Sequence, residues 1–115
     1  LRLIKELYGK RSLIIRAIGI LLVCASSAQA LETITAHVTA LEASYLPSMV
    51  TFWLDAGSSS CPVGTMLKWN KPDADNNKAV YSMLLTALTA GNSVRFYIND
   101  GDTQCVGQFI HLLAK

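Results

Sequence analysis

At 115 residues, with three cysteines and a formal net charge of +2, the chain has room for one domain at most, and its charge is unevenly spread. Arg2, Lys5, Lys10, Arg11 and Arg16 face only Glu6 at the start, so the part from Leu31 onward carries five basic and seven acidic side chains and nets −2. Those five cations stand singly rather than in clusters, which argues against a nucleic-acid binder that neutralises phosphates.

The early cations are followed by a short apolar run, Ala17 to Ala25, and by Ala28-Gln29-Ala30, a small-residue cleavage pattern. Residues 1–30 are therefore expected to be an export signal, and 31–115 a single domain that is secreted or periplasmic. A membrane-spanning helix wants roughly 18 or more apolar residues, and Arg16 interrupts this run, so no stable membrane insertion of the mature domain is expected. Cys24 leaves with the signal. Cys61 and Cys105 remain as an even pair in an exported chain, for which a disulfide is the expectation. Neither His37 nor His111 has a short spacing to either cysteine, so no metal or cofactor site is expected.

From Thr33 to Leu41, Ile34, Ala36, Val38 and Ala40 alternate with Thr35, His37 and Thr39, the pattern of a strand with one polar face. Glu42 to Pro47 turns the chain. Met49 to Leu54 forms a second strand, with Val50, Phe52 and Leu54 on one side and Thr51 and Trp53 on the other. Asp55 to Ser60 is turn chemistry without an apolar anchor, and Val63 to Trp69 is a short third strand.

The next stretch, Asn70 to Asn77, places Asp73, Asp75 and Asn77 at the first spacings of a calcium loop, but Lys78 and Leu84 stand where such a loop needs Gly and Glu. It reads instead as a polar lead-in to a helix over 76–90, capped by Asp75 or Asn76. Val80, Leu84, Ala87 and Leu88 form the apolar stripe of that helix, and Gly91 ends it in a left-handed conformation. The period then changes from helix to strand. Val94, Phe96 and Ile98 alternate with Arg95 and Tyr97, Asp100-Gly101 marks a hairpin, and Cys105 to Leu113 is the last strand, with Gln108 interrupting its alternation.

The order of elements is β-β-β-α-β-β. This predicts a mainly β fold with one helix: an OB-like, five-stranded Greek-key barrel whose helix plugs the open end. A small open sheet with one helix laid across it uses the same elements.

The stretch Tyr81 to Tyr97, YSMLLTALTAGNSVRFY, resembles the helix and following strand of the B subunits of subtilase-cytotoxin-type and typhoid-toxin-type AB5 toxins. There an apolar helix ends at a Gly and runs into a V-R-[IF] strand. The resemblance implies an OB-type fold, a ring-shaped homo-oligomer and recognition of sialylated or other glycans. No binding residue is carried over from that family. Independently, Ser82, Thr86 and Thr89, with Tyr81 and Leu85 alongside, leave the outward face of the helix uncharged. Such a face suits contact with a second copy, and also burial under loops of the same chain.

Catalytic signatures are missing: there is no G-x-S-x-G, no H-E-x-x-H and no phosphate-binding glycine loop. No catalytic residue is assigned, and a non-catalytic binding role is expected. Trp53 alternates away from the apolar side of its strand, and Asp55 and Ser58 follow in the adjoining loop. A flat ring beside hydroxyl-binding polar groups suits a sugar, so Trp53, Asp55 and Ser58 form the candidate ligand site. The alternative is a periplasmic structural or inhibitory protein that binds another protein.

Overall fold

A computed structural model describes residues 30–115, so all of the expected signal except Ala30 lies outside the described residues. The elements are β1 (Leu31–Glu42), β2 (Val50–Leu54), β3 (Leu67–Trp69), α1 (Ala74–Ala90), β4 (Ser93–Asn99) and β5 (Gly107–Leu112). All ladder pairs are antiparallel, in the order β3-β2-β1-β4-β5. The ends of this sheet then meet. Lys68 and Val106 form a parallel bridge, and the Lys68 N–H donates to the Cys105 carbonyl at 3.0 Å. This is the closure of a Greek-key barrel of the OB type, and it sets aside the open sheet. Among the described residues no helix is long and apolar enough to cross a membrane.

One side of each strand fills the interior: Ile34, Ala36 and Val38 from β1, Val50, Phe52 and Leu54 from β2, and Val94, Phe96 and Ile98 from β4. Phe52 and Phe96 meet edge to face at 5.1 Å near the centre. Trp69 belongs to this core, and its Nε1–H donates to the Asn76 side chain at 2.9 Å. Gly107 makes room for both rings, since a Cβ there would come within 2.4 Å of Phe96 and 2.7 Å of Trp69.

Two bulges break the alternation that the sequence shows. Val38 faces Leu54 while Ala40 faces Trp53, so Thr39 is the extra residue in β1. Ala40 consequently turns outward and Leu41 packs against the core. Similarly, Phe109 faces Tyr97 and Gly107 faces Ile98, which makes Gln108 the extra residue in β5. An extra residue reverses which side the following residues face, so Gly107 and Ile110 both point inward although their positions differ in parity.

Helix α1 starts earlier than its apolar periodicity suggests. Its cap is Asp73, not Asp75 or Asn76: the Asp73 carboxylate accepts from the N–H groups of Asp75 and Asn76 at 2.9 and 3.4 Å. Gly91 ends it at φ 76°, donating its N–H to the Ala87 carbonyl. The buried stripe is Asn77, Val80, Leu84 and Ala87, whereas Leu88 is 39% exposed. The polar member of that stripe acts as a brace. Asn77 Nδ2 donates to the carbonyls of Pro47, Ser48 and Lys71, and its Oδ1 accepts from the Lys71 N–H. One amide thus joins the helix to the β1–β2 and β3–α1 loops.

Replacing Asn77 by Leu leaves three carbonyls and one N–H without that partner, so stability should fall by about 3 kcal/mol, measured by urea denaturation. Cys61 and Cys105, 44 positions apart in sequence, form a disulfide with their Cα atoms 6.0 Å apart. Changing both to Ala should cost about 4 kcal/mol in the same assay, the entropy of closing such a loop.

Candidate functional site

Along β2, β3 pairs with Val50, Thr51 and Phe52 and goes no further, so the last residues of β2 have an open flank. A shallow groove of about 580 Å³ lies there, walled by Thr39, Ala40, Trp53, Asp55 and Val63. The Thr39 bulge helps to shape it by turning Ala40 outward. Trp53 is half-buried, so its indole forms a wall of the groove. The following loop doubles back tightly: a Cβ on Gly57 would lie 2.4 Å from the Val63 nitrogen, so only glycine fits.

Asp55 is held in a fixed orientation. Its N–H donates to the His37 carbonyl at 3.0 Å, and its Oδ1 accepts the His37 N–H at 2.8 Å. Its Oδ2 lies 3.5 Å from His37 Nδ1, and His37 Nε2 lies 3.3 Å from the Ser93 hydroxyl. Asp55, just past the end of β2, His37 of β1 and Ser93 of β4 therefore form a polar line, with Ser93 opposite His37 in the β1–β4 register. The order of groups is that of a nucleophilic serine relay. Here the line lies on an outward sheet face with the His37 and Asp55 side chains 55% and 49% exposed, so water competes for each bond. The His37 backbone N–H fixes the Asp55 carboxylate at the groove rim. Sequence reading placed His37 outward and missed Ser93, because their proximity follows from the pairing register of strands 56 positions apart.

The structure brings Trp53 and Asp55 together and sets Ser58 apart. Ser58 donates its N–H to the Cys61 carbonyl at 2.9 Å and accepts the Cys61 N–H on its hydroxyl at 3.3 Å. Its side chain is engaged within its own turn and does not line the groove. Asp73, Asp75 and Asn77 also diverge, the first capping α1 and the last buried beneath it. Among the described residues, no group of three or more His, Cys, Asp and Glu is placed to hold a metal ion.

Sequence reading also missed Glu32. Its Oε1 accepts from the Ser59 hydroxyl at 2.9 Å and the Ser60 N–H at 3.1 Å, and its Oε2 accepts the Gly101 N–H at 3.0 Å. The start of β1 is thereby tied to the β2–β3 loop and to the β4–β5 hairpin. Bonds from Ser60, through its side chain and its N–H, together with those from Gly101 and Ser59, hold the carboxyl well below its ordinary value, at about 2. On the outer side of β4 and β5 is a further aromatic cluster, with Tyr97 6.1 Å from Phe109 and 5.3 Å from His111.

No protein-family model matches this chain, and no curated protein or solved structure matches it.

Because the Glu32 carboxyl is more acidic in the folded chain than in the unfolded one, the stability it contributes is fully present above about pH 4.5 and is lost as the pH falls toward 2. The thermal midpoint followed from pH 6 to pH 2 should drop across that window. The Glu32→Gln variant should start lower and show a flatter profile.

Proposed function

We propose that this chain is an exported, non-catalytic binding module that takes a glycan in the groove beside Trp53 and associates with copies of itself. The observation that carries the ligand class is the pairing of the half-buried Trp53 indole with the oriented Asp55 carboxylate on one shallow, open surface. An aromatic wall stacks on the C–H face of a sugar ring while a fixed acceptor takes its hydroxyls. The resemblance of Tyr81 to Tyr97 to AB5 toxin B subunits points to the same ligand class. Export rests on the signal-like start and on a disulfide of the kind that persists outside the reducing cytoplasm.

Self-association is supported by the outward side of α1. The hydroxyls of Ser82, Thr86 and Thr89 donate to carbonyls of their own helix, those of Lys78, Ser82 and Leu85 respectively. The face therefore offers water few free polar groups, and Leu85 and Leu88 are exposed beside it. A second reading, recognition of another protein, is favoured by the outer cluster around Phe109, which is 55% exposed. Exposed aromatic rings of this kind commonly anchor protein interfaces.

A glycan array should show binding by the purified chain, and Trp53→Ala should abolish it with the thermal midpoint nearly unchanged. Silence on the array together with loss of a protein partner on Phe109→Ala would favour the second reading.

A further inference from the structure

The barrel seam is short. β3 is joined by the Lys68–Val106 bridge to the chain leading into β5, and the Lys71 ammonium covers the next acceptor, the Gly107 carbonyl, at 3.1 Å. Beyond Gly107 the outer edge of β5 has no strand beside it among the described residues. The direction of its backbone groups follows from one bond. Leu113 donates its N–H to the Ser93 carbonyl at 2.9 Å, so in an antiparallel ladder His111 also turns its N–H and C=O toward β4, while those of Ile110 and Leu112 turn away. A pair of donors and a pair of acceptors, two residues apart, thus face outward.

Edge strands are normally protected by a Lys, a Pro, an inward charge or a cover. The run Val106 to Leu113, VGQFIHLL, has no Pro and no Lys, Arg, Asp or Glu. Alongside it lies an apolar groove of about 330 Å³, bounded on the far side by Val80 and Met83 of α1. The groove leaves the edge open toward the helix and offers apolar contacts to whatever pairs with it.

From this edge we propose that a second copy of this chain adds a strand to β5. The inference rests on the self-association in the reading above and places the contact at this edge, not on the outer side of α1. The second copy is the fitting occupant because the pattern complements itself. Under a two-fold axis Ile110 of one copy faces Leu112 of the other, and the two residues exchange both backbone bonds. Their side chains then lie on the same side of the extended sheet and cover Val80 and Met83. The opposite sheet edge matches less well, because β3 has only three residues, includes Lys68 and runs on into Asn70-Lys71-Pro72.

The test is the mass in solution, by light scattering across a concentration series, of the chain expressed for export and of three variants. Leu112→Pro removes an outward N–H and leaves the β4 ladder bonds of His111 and Leu113 in place. Leu112→Lys keeps the N–H but puts a charge on the edge. Leu85→Lys charges the outer side of α1 instead. The expected result is an assembled parent chain, monomeric Leu112→Pro and Leu112→Lys with the far-ultraviolet circular dichroism of the parent, and an assembled Leu85→Lys. If both Leu112 variants stay assembled and Leu85→Lys is monomeric, the edge proposal is overturned while self-association stands. A parent chain that is monomeric throughout the series overturns both.

Discussion

Five strands form a closed barrel only where the first and last of the sheet meet, and in this chain they meet at the short Lys68–Val106 bridge, where the Lys68 N–H donates to the Cys105 carbonyl. A single bond of this kind contributes about 1 kcal/mol net, too little to hold a sheet closed unaided. The surrounding covalent and polar ties make up the difference. The disulfide places Cys61, in the middle of the β2–β3 loop, against Cys105, which carries the closing carbonyl. Glu32 draws that loop and the β4–β5 hairpin to the start of β1, and Lys71 reaches over Trp69 to the Gly107 carbonyl. Three different kinds of interaction converge on the same narrow junction.

This manner of closure decides where function can lie. The interior is filled, with Phe52, Phe96, Val50, Val94 and Ile98 showing no exposure, so a ligand has to bind on the outside. The outside is shaped by the places where pairing stops. Where β3 ends short, the flank of β2 opens into the Trp53 groove. Where β3 fails to follow β5, the edge of β5 is left bare beside α1. Both proposed contact surfaces are consequences of one feature, a third strand of only three residues.

Much of the fold is legible in the residues because burial on one side imposes a period. The alternation of Val94, Phe96 and Ile98, the spacing of Val80, Leu84 and Ala87, and the break at Gly91 all describe local backbone states. The bulges at Thr39 and Gln108 are different, since an extra residue exists only relative to a partner strand. For the same reason Asn77 reads as a loop residue. Its burial depends on carbonyls contributed by Pro47 and Ser48, about 30 positions away, and no local pattern announces them. At the candidate site, strand phase correctly sets Trp53 off from the core side, and proximity in sequence brings Asp55 with it. Ser58 shows where that logic stops, because a serine in a turn has its own backbone to satisfy. The acidic Glu32 and the line through His37 to Ser93 depend on register and loop packing, which alternation does not encode.

Hydrogen exchange at the Lys68 amide of the oxidised chain tests barrel closure most directly. If the seam is closed as described, this proton exchanges on the slow time scale of the β1–β4 ladder, close to the Phe96 amide. Exchange of Lys68 at the rate of the exposed loops, with Phe96 still protected, would mean that the strands form an open sheet and that the surfaces inferred from closure do not exist as drawn.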